Sequence, residues 1–312
     1  MHRVSPDTGS GVDRLRAFTI LRFILSFPEA WVPFRLTAMR KFDVRLKAIL
    51  CVAAILLAGG RALAQVDPFE FEVYPYQTLG LGMVELESLN SVVPKGHARG
   101  GNGTASGDFK SNLMYRTAFE VSYGLTDKIE AAAYLNLARP NGDGSFQYAG
   151  SKYRLRGSLF EQDELPVNLG WYAELEWHRV PEFDENQLEV ELRPIIEKDF
   201  GRVEIDLDPK FEKAIFLGPN KNRGFEFGYV AGIYYRAMRW LSPGLEFYGG
   251  IGHLDDSDPL HDQQHYIFPV LRGELPGGIE YNFGPGFGLT RGSDRIITKF
   301  NLELEHFVGS LL

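Results

Sequence analysis

The chain has 312 residues, of which 44% are hydrophobic and 13% aromatic, with 34 glycines and one cysteine. No apolar run reaches the ~18 residues of a membrane-spanning helix, so insertion into a bilayer would have to come from strands. A single cysteine excludes a disulfide framework, and a formal net charge of −8 argues against nucleic acid as a partner.

Met39 opens the stretch MRKFDVRLKAILCVAAILLAGGRALAQ, which reads as a secretory signal peptide. Arg40, Lys41, Arg45 and Lys47 form its basic region, Ala48 to Ala58 its apolar region, and Ala62-Leu63-Ala64 an A-x-A cleavage site. Residues 39–64 are therefore expected to be removed, and residues 1–38 read as an upstream extension outside the folded protein. Leu50, before Cys51, is not the small residue that a lipoprotein site needs. Residues 1–64 hold 10 Lys and Arg and 4 Asp and Glu, so the mature chain keeps 23 basic and 37 acidic residues, net −14, and no cysteine.

Val66 to Gly80 is aromatic and is interrupted by Pro68 and Pro75. Residues 65–80 read either as a periplasmic lead-in or as the start of a first strand. That strand is expected over Leu81–Val93, with Glu85 and Glu87 inward, followed by a Gly-, Ser- and Asn-rich loop from Pro94 to Ser111. Leu113 to Leu125 sets Tyr115, Phe119, Val121 and Tyr123 against Arg116, Glu120 and Ser122. The turn Thr126-Asp127-Lys128 leads to Ile129–Leu137, whose polar face holds Glu130, Tyr134 and Asn136. Phe146 to Phe160 places Lys152, Arg154 and Arg156 opposite Tyr153, Leu155 and Leu159. Leu165 to Val180 places Glu174, Glu176 and His178 opposite Leu169, Trp171, Leu175 and Trp177.

The clearest pattern runs from Gln187 to Phe216, two long strands joined at Gly201-Arg202. Glu189, Glu191, Arg193, Glu197 and Asp199 share one face of the first strand. Glu204, Asp206, Asp208, Lys210 and Glu212 share one face of the second. Period-two alternation of this kind is a sheet signal, and these strands are about twice the usual five or six residues. One apolar face and one face with charges of both signs fit a transmembrane β-barrel, with lipid outside and a polar interior. Lys198 and Lys213 break the apolar face only near strand ends, where a lysine can snorkel to water. Such a lysine costs about 0–1 kcal/mol at the interface, against roughly 2–4 kcal/mol at the midplane.

Further along, Glu226, Tyr234 and Arg236 oppose Phe225, Phe227, Tyr229, Ile233 and Tyr235. Leu241–Leu254 follows, then a polar loop from Asp255 to Gln264. His265–Leu275 carries Arg272 and Glu274 on one face. Gly278–Thr290 carries Glu280 and Asn282, and Arg295–Phe307 carries Lys299, Asn301, Glu303 and Glu305. The total is about twelve strands. Connections 2–3, 4–5, 6–7, 8–9 and 10–11 read as short, and 1–2, 7–8 and 9–10 as longer. An even strand count with alternating short turns and long loops characterises outer-membrane barrels. The expected fold is all-β, a transmembrane antiparallel up-and-down β-barrel over residues 81–312, with both ends in the periplasm and a cleaved signal peptide before it.

The signal peptide, the alternating strands and turns such as Tyr123-Gly124-Leu125-Thr126-Asp127-Lys128 resemble bacterial outer-membrane barrels. In particular they are similar to the transporter barrels associated with the meta-pathway of phenol degradation. The resemblance implies an outer-membrane location, contact with outer-membrane lipids and with the barrel insertion machinery, and passage or binding of a small-molecule solute. Such barrels usually end in an aromatic residue. This chain has Phe300 and Phe307 in its last strand but ends Val308-Gly309-Ser310-Leu311-Leu312.

The inward charged residues named above, from Arg116 to Glu303, are the expected lumen lining. Lys152 and Arg154 should lie near Glu174 and Glu176. Arg193 should face Lys210, a like-charge pair that diagonal Glu191, Asp208 and Glu212 must offset. Two readings follow: an interlocked ion-pair network that plugs the barrel, or a water-filled, acid-lined path for neutral or cationic solutes. His253, Asp255, Asp256, Asp258, His261 and His265 fall within thirteen residues and form a candidate zinc or calcium site. Their spacing matches no established motif, and no cofactor is expected. An outer-membrane lipid hydrolase is the alternative class. His178 and His306 lack an obvious serine partner, however, and no G-x-S-x-G elbow occurs. Gly284-Pro285-Gly286-Phe287-Gly288 reads as strand curvature rather than a phosphate loop.

Overall fold

The computed structural model describes residues 66–96, 98–100, 108–139, 145–179, 187–216 and 219–307. The expected extension at 1–38, the signal peptide and the last five residues lie outside these.

Twelve long strands form one sheet: β1 (Met83–Lys95), β2 (Tyr115–Thr126), β3 (Ile129–Arg139), β4 (Gln147–Ser158), β5 (Asn168–His178), β6 (Gln187–Phe200), β7 (Val203–Phe216), β8 (Glu226–Tyr235), β9 (Ser242–His253), β10 (Gln264–Leu275), β11 (Ile279–Gly288) and β12 (Ile296–Phe307). Each pairs antiparallel with its sequence neighbours, and β1 pairs with β12, so the sheet closes into an up-and-down barrel. Closure leaves no strand edge unpaired, the condition for a sheet to cross a membrane. A two-stranded hairpin, Ala98–Gly100 with Asp108–Lys110, lies within the connection expected as loop.

Alternation sets the two faces. Outward residues form an exposed apolar band that includes Leu86, Phe119, Val121, Leu135, Leu155, Leu192, Leu207, Ile233, Leu245, Leu271, Phe283 and Phe300. Tyr235, Trp240 and Tyr281 lie toward one rim, and Tyr148 and Trp177 toward the other, as aromatic girdles do at the two membrane interfaces. Lys213, at a strand end, donates to the Arg223 carbonyl at 2.6 Å. The fold is that of a bacterial outer-membrane β-barrel.

Connections at one rim are tight at 127–128, 201–202, 236–241 and 276–278; those at the opposite rim span 96–114, 140–146, 179–186, 217–225, 254–263 and 289–295. One connection at the short rim departs from expectation. Residues 159–167 form a longer folded turn, in which the Asp163 amide donates to Asn168 Oδ1 at 2.9 Å.

Among the described residues before β1, 66–82, there is no strand. Residues 66–80 run through the lumen. The Val66 amide donates to Gln264 Oε1 at 3.0 Å, at the long-loop rim. The Leu79 amide donates to Glu130 Oε2 at 2.8 Å and the Leu81 amide to Asp127 Oδ1 at 3.2 Å, at the short-turn rim. Residues 65–80 were expected as a periplasmic lead-in or the start of a first strand; residues 66–80 form no strand and lie inside the barrel. β1 does begin at the short-turn rim, but the chain reaches it through the barrel from the other side. Pro68 and Pro75 withhold ladder donors, and the acidic and aromatic residues between them find partners only inside.

Candidate functional site

The site is the lumen and the segment that fills it. Phe69, Glu70, Phe71, Tyr74, Tyr76 and Leu79 are all buried. Their surroundings differ around the barrel wall.

On the wall formed by β2–β7, charge meets charge. Lys152 Nζ reaches Asp67, Glu70 at 2.6 Å, Glu174 at 3.2 Å and Glu176 at 3.4 Å. Arg193 Nη2 pairs with Glu70 at 2.5 Å, and its Nε with Glu191. Lys210 pairs with Glu191 at 2.8 Å and Glu212 at 2.9 Å. Arg154 bridges Glu120 and Glu130, each at 2.7 Å, and Arg156 Nε binds Glu130 at 2.8 Å. The guanidiniums of Arg154, Arg156 and Arg193 lie 4.9, 5.0 and 5.3 Å from the Tyr74 ring centre, within cation–π range. The Tyr74 amide donates to Asp208 Oδ2 at 3.0 Å and the Tyr76 amide to Glu197 Oε2 at 2.9 Å. A proline-broken segment cannot join a ladder, so carboxylates of the wall satisfy its N–H groups instead.

On the wall formed by β8–β12 and β1, rings meet rings. Phe71 sits 5.0 Å from Phe268, 5.2 Å from Tyr248 and 5.8 Å from Tyr266, centre to centre. Phe71 and Val73 join one apolar cluster with Val93, Met114, Val230, Tyr234, Val270 and Ile297. Gly286, within the Gly-rich stretch of β11, faces the Phe268 ring, and a Cβ there would collide with it. Close aromatic packing, not phosphate binding, accounts for that glycine. Lys299 Nζ donates to the Phe71 carbonyl at 3.0 Å and pairs with Glu246.

Arg116, Glu120, Glu130, Lys152, Arg154, Arg156, Glu174, Glu176, Glu191, Arg193, Asp208, Lys210 and Lys299 are buried inside. Glu189, Glu212, Glu226, Arg272 and Glu303 are partly buried, and Arg236 and Glu280 are exposed. The pairing of Lys152 with Glu174 and Glu176 holds, but Arg154 turns instead to Glu120 and Glu130. Register pairs Leu192↔Phe211 and Ile196↔Leu207 bring Arg193 level with Lys210. Glu191 and Glu212 flank them as expected, whereas Asp208 is taken by the Tyr74 amide. Asp67, Glu70, Tyr74 and Glu246 were missed. The signal that could have found the first three is the alternation of acidic and aromatic residues in Asp67–Tyr76, too polar for a lipid-facing strand.

The thirteen-residue His/Asp stretch does not converge. His253 Nδ1 contacts the Gly224 carbonyl at 2.9 Å and its Nε2 lies 3.0 Å from Glu226. Asp256 pairs with Arg223 at 3.1 Å, His261 with Asp262 at 3.2 Å, and His265 stacks on Tyr229. Among the described residues, no three of these place ligand atoms within 4.8 Å of one another. The strand path explains this, since it sends His253 and His265 to different strands and leaves His261 facing solvent. His178 is held by Glu189 at 2.8 Å and Glu176 at 3.4 Å.

At the short-turn rim a cavity of about 400 Å³ opens below the plug, lined by Gln77, Glu85, Arg236, Arg272, Glu280 and Glu303 among others.

Fold and lumen together define a closed transmembrane β-barrel with an internal plug. No family model matches the chain, and no curated protein matches it in sequence. Among solved structures, an outer membrane channel from Pseudomonas putida F1 superposes with a TM-score of 0.53 at 14% identity, covering 75% of this chain and 100% of that one. A deletion mutant of the monoaromatic hydrocarbon channel TodX gives 0.37 at 10% identity, covering 73% and 90%. LpxR from Salmonella typhimurium gives 0.37 at 8% identity, covering 70% and 99%. The first of these shares the barrel fold.

Proposed function

We propose that the protein is an outer-membrane channel or transporter for small solutes, with the short-turn rim in the periplasm and passage controlled by residues 66–80. The observation that carries this reading is the polar way the plug is held. Its buried charges, Asp67 and Glu70, are matched to Lys152 and Arg193 of the wall. A purely structural filler would gain more from well-packed apolar groups, because buried ion pairs are often no more stabilising than apolar replacements. Ion pairs suit a segment that leaves, since the groups it exposes are rehydrated and line an aqueous path. That path is rich in carboxylates, which favours neutral or cationic solutes over anions. The match of the Pseudomonas putida F1 channel in fold agrees with this reading. The alternative of a lipid-acting enzyme gains no support from His178, whose ring is engaged by two glutamates.

The test is planar-bilayer recording of the mature barrel beside a variant lacking residues 66–80. The intact barrel should show low, intermittent conductance, and the deletion a steady conductance several-fold higher with cation selectivity. A correctly folded deletion variant that stays closed would refute the channel.

A further inference from the structure

One row of lumenal glutamates carries more negative charge than its neighbours balance. Register aligns Glu274↔Glu280, Glu280↔Glu303, Glu303↔Glu87 and Glu87↔Glu120 across β10, β11, β12, β1 and β2. These five glutamates stand side by side on neighbouring strands, where like charges oppose pairing. Glu120 is neutralised by Arg154 and Glu274 by Arg239. Glu87, fourth in the row, is 6% exposed, and no side-chain hydrogen bond or ion pair among the described residues involves it. The nearby Lys299 is committed to Glu246.

Glu87 is also where two carboxylate groups meet. Its oxygens lie with those of Glu72 and Glu120 within 4.8 Å of one another, and with those of Glu85 and Glu303 within the same limit. Glu72 belongs to the plug and the other four to the wall. Buried Oε2 atoms of Glu72 and Glu120 likewise lack hydrogen-bond partners. A calcium ion binds oxygens at about 2.3–2.6 Å, so oxygens on opposite sides of one ion stand about 4.6–5.2 Å apart. The spacing of Glu72, Glu87 and Glu120 therefore fits one ion, and Glu85 and Glu303 form a second triad that shares Glu87. An all-carboxylate set is hard and flexible, which favours calcium over zinc or a soft metal.

We propose that Glu72, Glu87 and Glu120, extended by Glu85 and Glu303, form a divalent-cation site of the calcium type at the seam between plug and wall. The cation supplies the positive charge that the glutamate row lacks and ties the plug to β1 and β2. This site is separate from the His/Asp stretch at the long-loop rim, and its occupancy does not depend on conduction.

The experiment is equilibrium binding to the folded, detergent-solubilised mature barrel after chelator treatment at pH 8. Terbium is the probe, excited through tyrosine; Tyr134 is the register partner of Glu120. Calcium competition and calorimetry with calcium alone complete the set. Expected are one saturable site per barrel, displacement of terbium by calcium, and affinity at least tenfold weaker in Glu87→Gln. Asp256→Asn, in the long-loop stretch, should bind like the parent. No saturable binding by the folded parent, or equal affinity in Glu87→Gln, overturns the proposal. Should Glu87→Gln not fold, Glu72→Gln gives the same reading from the plug, where no barrel strand is altered. Because binding is read at equilibrium, a closed barrel that binds calcium defeats the channel alone. A conducting barrel that binds none defeats the site alone.

Discussion

Lys152, Arg154, Arg156 and Arg193 on β4 and β6 meet the plug as charges, whereas Tyr248, Tyr266 and Phe268 on β9 and β10 meet it as rings. One side fixes direction and register, because a carboxylate such as Glu70 fits only where Lys152 and Arg193 converge. The other side holds Phe71 by area and shape. The two sides answer differently to loss of a partner. A ring removed leaves a cavity, while a cation removed leaves uncompensated buried charge, and the second is the harsher fault.

That difference sets an order of effects. Lys152→Ala removes the ion-pair partner of Asp67 and Glu174 and one of the partners of Glu70 and Glu176, and should cost roughly 3–5 kcal/mol, read as a lower urea midpoint of the folded barrel. Lys152→Ala with Glu70→Gln and Asp67→Asn should recover part of that loss; no recovery would show that the plug is not what Lys152 serves. Phe71→Leu keeps the apolar contact but loses the ring pairings, worth about 0.5–1.5 kcal/mol each. It should raise protease sensitivity of the plug more than it lowers barrel stability. Equal loss in both would mean that the aromatic side holds the barrel rather than the segment. Arg223→Ala breaks a half-exposed pair with Asp256 at the long-loop rim. It should change stability by about 1 kcal/mol or less, a baseline against which the two lumenal variants are read.

Most of the barrel is legible in the sequence. The strand centres follow from alternation, as in Glu189–Asp199 and Glu204–Glu212, where every inward position but Ile195 is polar. Period two leaves only two choices of face, and lipid on one side decides between them. The hairpin register at Gly201-Arg202 was equally open to reading, because a two-residue turn fixes it. The long fold of residues 159–167 was not, since acidic residues beside Pro166 mark a loop without giving its length. Arg154 shows the limit for side chains. Its hairpin neighbour is Glu174, but a long guanidinium can reach across the lumen wall to Glu120 and Glu130 instead.

Sequence alone pointed to an antiparallel barrel of about twelve strands with lipid outside and charge within, because period-two alternation sets one apolar and one charged face. The exact count and the closing pair of β1 with β12 came from the structure. Tertiary structure alone decided what fills the lumen. Residues 66–80 alternate in part but lack ladder donors at Pro68 and Pro75. Their place depends on partners more than a hundred residues away, such as Arg193 for Glu70 and Asp208 for Tyr74. The convergence of Glu72 with Glu87 and Glu120 rests on the same long-range placement, which becomes visible only once the barrel has closed around the segment.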